Sequence, residues 1–257
     1  MALLEVLGVL SCYVITLGVG STRSGLVRMR VIVSYLYVVW FYCAVARITP
    51  ALGSPMRDRL LLSFDEGLFR KTPAIYCERI AAAWITDLLS ICYLTYHLYL
   101  AMAALEAVRN VKGASRRLSP YVSAGFVIGL AGYLLVPAIG PAYAFPNLFQ
   151  APLPQGTIGT LIDRLVTSGS SRYDVFPSLH VLITCILLDH DWRFMRWRFL
   201  VMIGPAFGLT LSTIYLRYHY GVDILAALAI FLALRQTFLK VWAREITLGD
   251  EVRSGNR

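Results

Sequence analysis

Of the chain's 257 residues 58% are hydrophobic and only 15% charged, with a mean hydropathy of +0.64. A soluble domain carries roughly half apolar and about a quarter charged residues, so the composition excludes one and points to an integral membrane protein. The net charge of +9 does not signal nucleic acid, because its placement along the chain is one-sided.

Crossing a bilayer takes roughly 20 mostly apolar residues, fewer where an end is buried in protein. Seven stretches are predicted spans: about 4–20, 31–48, 80–105, 121–139, 177–190, 199–216 and 220–239. No basic residue precedes the first, and Arg23, Arg28 and Arg30 follow it. That polarity is wrong for a cleaved signal peptide, so the stretch is expected to be retained with its N-terminus outside. The fifth stretch reaches only about 21 Å at roughly 1.5 Å per residue. Its start is therefore expected below the membrane surface, inside the bundle. None of the runs alternates like a lipid-facing barrel strand. The expected fold is all-α, a polytopic transmembrane bundle of six core helices plus an extra N-terminal helix. Residues 1–240 are expected to form one integral membrane domain and 241–257 a short cytoplasmic tail, whose polar end "LGDEVRSGNR" is expected to be disordered.

The connection from Gly140 to Phe176 is long for a plain loop. Within it "TIGTLIDRLVTSG" spaces Ile158, Leu161, Ile162, Leu165 and Val166 at helical intervals. It reads either as an amphipathic helix lying in the interface over a site or as a connector. The five cysteines are scattered and give no disulfide framework or zinc pattern.

Numbering the connections by the seven spans sorts the charge. One face takes 15 of the 24 basic residues, among them Arg109, Arg193, Arg196, Arg198 and Arg235, with six acids, which is net +9. The other face keeps the remaining nine basic and nine acidic residues, net 0. The positive-inside rule puts the basic face in the cytoplasm.

Two motifs fall on the neutral face. "DVFPSLH" ends in His180 at the mouth of the fifth span, and "LRYHYGVD" holds His219 and Asp223 just before and inside the seventh. Odd-numbered spans start on the same side, so the two histidines share one face. On a helix His219 and Asp223, four apart, sit one turn apart on one side. There a carboxylate fixes one imidazole nitrogen and frees the other as a nucleophile. Arg217 stands two residues before His219. Ser178, after Pro177 at a helix start, adds a hydroxyl and backbone N–H donors for an anion. Two histidines, an orienting carboxylate and an arginine suit phosphoryl transfer: one histidine attacks phosphorus, the other protonates the leaving oxygen, and the cation balances charge.

At these residues the chain resembles the type 2 phosphatidic acid phosphatase superfamily, most closely its inositol phosphorylceramide synthase (aureobasidin-resistance) branch. "FPSLH" and "HYGVD" resemble the superfamily's second and third motifs. "YLLVPAIGP" (133–141) and "LLLSFDEGLFRKTP" (60–73) resemble segments of the branch, and the likeness runs from about residue 55 to 235. It implies His219 as nucleophile, Asp223 as its orienter, His180 as general acid, a phosphohistidine intermediate and neither metal nor cofactor. The common pattern has arginine where this chain has Thr213, and Arg217 matches the branch instead. The first motif, a lysine followed at a distance by Arg-Pro, has no counterpart. Arg172 or Lys71 is the substitute phosphate ligand to look for.

The expected activity is thus a membrane lipid phosphatase or phosphotransferase with the site on the outer face of the plasma membrane. Its partners are a lipid phosphate and an acceptor, either water or a lipid alcohol. A polyprenyl phosphate phosphatase is the nearest alternative. A proton-coupled transporter is a second class, and it wants ionisable groups at mid-membrane in broken helices. A haem protein using His97, His180 or His219 is a third. His97 reads as a core residue, His190 in "DHDWR" as part of a solvated turn, and Asp65, Glu66, Glu78 and Asp174 as loop or capping residues. Asp87 and the stripe Tyr93, Tyr96 and Tyr99 read as packing groups.

Overall fold

In hydrocarbon every backbone polar group needs a partner within the chain, which leaves an isolated segment only the helix. The apolar runs accordingly form helices. The computed structural model describes residues 24–110 and 114–255, and the expected first span, 4–20, lies outside them. Ten α-helices follow in order: α1 (Ser24–Ala51), α2 (Asp58–Phe69), α3 (Pro73–Cys77), α4 (Ala83–Arg109), α5 (Ala114–Leu135), α6 (Pro141–Ala144), α7 (Thr157–Gly169), α8 (Leu179–Phe194), α9 (Arg196–Tyr215) and α10 (Gly221–Gly255). Among the described residues there is no strand. Among the described residues five helices, α1, α4, α5, α9 and α10, are long and apolar enough to cross a membrane. The chain is an all-α integral membrane protein.

Two predicted edges move. The stretch 121–139 ends as helix at Leu135, because "VPAIG" turns there to meet the site. The tail expected to be disordered instead continues α10 to Gly255.

Helix α8 is the short fifth span, with 16 residues, about 24 Å long. It is short because both ends stop inside protein: Ser178 before it and Asp191 near its end are fully buried. It packs against α4, α5, α9 and α10, and Leu182, Ile183, Ile186 and Leu187 are completely enclosed. Between helices in lipid, close van der Waals fit replaces the hydrophobic effect as the driving force. Glycines on one face of α5 supply the fit. A Cβ on Gly125 would stand 2.6 Å from the Ile186 side chain, and one on Gly132 would stand 2.9 Å from the Phe176 carbonyl.

The end of α8 far from the histidine motif is tied by charge. Arg198 on α9 grips Asp191 through two 2.6 Å hydrogen bonds, Tyr99 adds one of 2.7 Å, and His190 lies 3.1 Å from the same carboxylate. All four side chains are buried. His190 is therefore not in a solvated turn, and Arg198 is not a surface charge. The sequence pattern hides this because a helix end rich in charge looks solvated until a second helix covers it. Next to it Arg235 of α10 and Arg193 both reach Asp189, at 2.8 and 3.2 Å.

Candidate active site

The chain segment between α9 and α10 carries the "LRYHYGVD" motif. After Tyr215 the backbone turns at Arg217, whose φ is 63°. The Tyr218 and His219 N–H groups both donate to the Thr213 carbonyl, at 3.2 and 3.0 Å. The residue that stands where the common pattern has arginine thus holds the His219 loop through its backbone.

His219 is 2% exposed and Asp223 is fully buried. The His219 Nδ1 lies 3.0 Å from the Val175 carbonyl and 3.3 Å from Asp223 Oδ2. Both are acceptors, so Nδ1 carries the proton and Nε2 keeps its lone pair. Asp223 sits in the first turn of α10 and also accepts the Tyr220 N–H at 2.8 Å, as the carboxylate of a capping box does. Helix capping and imidazole orientation are one device here. Its other oxygen, Oδ1, is buried without a partner.

His180 opens α8. Its ring lies 5.9 Å from that of His219, centroid to centroid, and rests between Tyr93 at 4.5 Å and Tyr96 at 4.6 Å. Its Nδ1 is buried without a hydrogen-bond partner, so no protein group fixes where its proton sits. This differs from His219, whose tautomer is fixed. The tyrosines expected to serve as packing residues are in part site walls: Tyr93 and Tyr96 line the cavity, while Tyr99 belongs to the Asp191 cluster.

Both histidines line one cavity of about 490 Å³. Its walls come from α1, α4, α5, α7 and the loop before α8, and most of them are apolar. Its rim includes Val39, Leu94 and Leu165, exposed at the surface of the bundle. The helix read from "TIGTLIDRLVTSG" forms as α7, with Leu165, Val166 and Gly169 in the wall. Asp87 of α4 caps it, accepting the Gly156 and Gly159 N–H groups at 3.0 and 2.8 Å. The loop 170–174 is closed by Asp174, which takes a short hydrogen bond from Tyr42 and one of 2.9 Å from Ser170.

Helix α2 holds the site from outside the bundle through two carboxylates seven residues apart on one face. Asp65 accepts the Gly221 and Val222 N–H groups at 2.9 and 2.8 Å and the Thr72 hydroxyl at 2.7 Å, which places a negative charge at the start of α10. Asp58 accepts the Ile139 and Gly140 N–H groups at 3.0 Å and the Tyr220 hydroxyl at 2.9 Å. Burial raises its pKa and these donors oppose the rise. Gly140 has φ 85°, and a Cβ there would collide with the Tyr218 carbonyl. The segments "LLLSFDEGLFRKTP" and "YLLVPAIGP" thus act together as a clamp on the His219 loop. Asp65 is the capping residue the sequence suggested. Asp58 was not singled out there, and its spacing from Asp65 within an amphipathic stretch is the signal that identifies it.

The remaining expected ligands stand apart from the cavity. Arg217 is 7% exposed, bonded to Glu78 at 3.2 Å and to the Ala151 carbonyl at 3.0 Å, with its guanidinium over Phe149. Burial lowers its pKa and Glu78 opposes that. It faces a smaller polar pocket shared with Asp163, Ser90 and Tyr218. Ser178 is enclosed: its N–H already donates to the Asp223 carbonyl at 3.3 Å, and its hydroxyl has no partner. Arg172 and Lys71 are exposed and do not line the cavity. The arrangement therefore places an imidazole of fixed tautomer beside one whose Nδ1 has no partner, in a mostly apolar cavity that reaches the surface of the bundle.

No curated protein and no solved structure matches the chain. The family model of the PAP2 superfamily matches residues 59–235, a range that begins in the α2 clamp and ends within α10. It contains both histidines and Asp223, and the chain belongs to the PAP2 superfamily.

Proposed function

We propose that the protein is a lipid phosphatase or phosphotransferase that works through a phosphohistidine without metal or cofactor. The observation that carries the reading is the pair of rings 5.9 Å apart in one apolar cavity, with the Nδ1 of only one of them bonded. Superfamily membership supports a lipid phosphatase-type activity at the coarser level.

In the first half-reaction the His219 Nε2 lone pair attacks phosphorus. The N–P bond forms, the P–O bond to the lipid or headgroup breaks, and protonated His180 gives its proton to the leaving oxygen. Asp223 takes up the charge that develops on the His219 ring. In the second, His180 removes the proton from water or an alcohol, whose oxygen attacks phosphorus and releases His219. Water gives hydrolysis. A lipid hydroxyl gives a headgroup transfer of the inositol phosphorylceramide synthase kind. Arg217 is assigned to phosphate charge balance, which requires it to exchange Glu78 for the substrate. Ser178, Arg172 and Lys71 are secondary candidates for the same task.

We place this chemistry at the outer face of the plasma membrane, on the strength of the net +9 and net 0 faces. The polyprenyl phosphate reading shares the first half-reaction and the apolar chamber. A proton-coupled transporter fits less well, because the ionisable groups gather at helix starts. The test is incubation of purified protein with a panel of lipid phosphates, with and without acceptor lipids and with chelator present, following phosphate and new lipids together. Turnover under chelation with a trapped acid-labile, base-stable phosphoenzyme is expected. Activity that chelator abolishes and one divalent ion restores would refute the mechanism.

A further inference from the structure

Beside the apolar cavity lies a second pocket of about 200 Å³ to which the proposed reaction gives no task. Ser90, Gln155, Asp163 and Arg217 give it a polar lining, and Gln155 is exposed. At roughly 30 Å³ per molecule it has room for several waters, and its side chains offer the polar partners that water needs. Ser90 and Tyr93 stand three apart on one face of α4, Ser90 in the small pocket and Tyr93 in the large cavity. The two spaces are therefore neighbours along that helix.

Two tyrosines line both spaces and form the partition: Tyr218, next to His219 in the chain, and Tyr143 of α6. Both are tied to α7. The Tyr218 hydroxyl donates to Asp163 Oδ1 at 2.7 Å. The Tyr143 hydroxyl lies 3.4 Å from that of Thr167, one turn further along the same helix. The Tyr218 ring is 5.3 Å from that of Tyr93, which is 4.5 Å from that of His180. A path past Tyr218 thus leads toward His180, the proposed base for the incoming oxygen.

We propose that the small pocket is the site from which water reaches the phosphoenzyme, and that Tyr218, tethered to Asp163, limits its entry. Tyr218 is then the residue that divides the phosphoryl group between water and a lipid alcohol, which arrives through the apolar cavity. The inference rests on the phosphohistidine reading and deepens it. In the step concerned the water oxygen bonds to phosphorus, the N–P bond to His219 breaks with its electron pair returning to Nε2, and the water proton passes to His180. An apolar chamber holds water poorly, so a polar pocket behind a tethered ring is what sets its supply.

The experiment follows single turnovers of the full-length protein in detergent. An aryl phosphate forms the phosphoenzyme, which then decays in water alone or with a long-chain alcohol in the micelle. Tyr218→Phe and Asp163→Ala each remove one half of the tether. Each should speed decay in water about fivefold, the effect of one hydrogen bond, and the double variant should do no more than either alone. Ser90→Leu fills the pocket and should slow the same step by a similar factor. Formation of the phosphoenzyme and its alcohol-dependent decay should change little in every variant. These are rate constants of one turnover, so the amount of folded protein does not enter. Decay in water that Tyr218→Phe or Ser90→Leu leaves unchanged overturns the inference and leaves the phosphohistidine reading standing. So does decay to water and to alcohol that moves by the same factor, which would make Tyr218 a support for His219. Absence of any phosphoenzyme overturns both.

Discussion

Helix α8 carries a buried polar cluster at each end, and the two are built on opposite rules. At the far end every oxygen of Asp191 is engaged: Arg198 takes both, Tyr99 shares one and His190 the other. At the histidine end the Oδ1 of Asp223, the Nδ1 of His180 and the hydroxyl of Ser178 are all buried without partners. Buried polar atoms are nearly always bonded because leaving one unpaired costs about 1–3 kcal/mol. A chain that satisfies one cluster completely and leaves three such atoms in the other has the chemistry to complete the first. The unpaired set is where a substrate, water or a moving proton belongs. A cluster completed by protein holds helices together, and one left incomplete keeps polar atoms free for the reaction proposed above.

The comparison breaks first at its extremes. His219→Ala removes the proposed nucleophile, so activity is expected to fall at least a hundredfold, with a cost of several kcal/mol in the barrier. The thermal midpoint in detergent should move little. Activity above roughly one percent of wild type in purified His219→Ala would contradict the nucleophile assignment. Asp191→Ala should do the reverse. It strands the Arg198 guanidinium without its counter-charge, and breaking a buried pair this way costs about 3–5 kcal/mol. Yield and midpoint should drop, while the turnover of the molecules that remain folded should stay within a few-fold of wild type. If Asp191→Ala is stable and inactive instead, the far cluster has a functional role and the contrast fails.

A smaller effect separates the clamp from the site it holds. Asp58→Asn keeps one acceptor oxygen but loses the charge that gathers Ile139, Gly140 and Tyr220. The His219 loop then loses one of its two anchors on α2. Small displacements of a reacting group are expensive, so kcat is expected to fall about tenfold with KM little changed. Steady-state kinetics on a single lipid phosphate checks this. A change in KM alone would place Asp58 with substrate binding.

How much of this could be read from residues alone depends on range. Local spacing carried far: His219 and Asp223 are four apart, and the helical intervals in "TIGTLIDRLVTSG" produced α7. The short fifth span revealed the buried start of α8, because a helix too short for the bilayer has to end in protein. What sequence spacing does not encode is which loop folds over which end. Asp58 and Tyr220 are 162 residues apart and His190 is covered by a helix that follows it, so the clamp and the far cluster become visible only in the packed bundle. Arg217 shows the same limit in reverse. Its position two residues before His219 suggested a shared pocket, but a left-handed turn at Arg217 itself points its side chain to Glu78.

The finest division lies between the two histidines. The His219 tautomer is held by Asp223 and Val175, whereas nothing holds the proton of His180. A nucleophile needs a fixed lone pair and an acid–base group needs a mobile proton, so the two variants should respond differently to the leaving group. Protonation matters most when the departing oxygen is a strong base and least when it is already stable as an anion. His180→Ala should therefore be severely impaired on alkyl lipid phosphates and lose less than about tenfold in the first half-reaction on aryl phosphates with acidic phenols. His219→Ala should stay inactive on both. The His180 variant also lacks its base for the incoming water or alcohol, so the phosphoenzyme should accumulate. Rapid quenching should trap it as an acid-labile, base-stable phosphoramidate. Equal losses for both variants across every leaving group would remove the acid from His180. Its unpaired nitrogen would then be read as a donor to bound phosphate, and the two ends of α8 would differ in what they bind while the proton moves elsewhere.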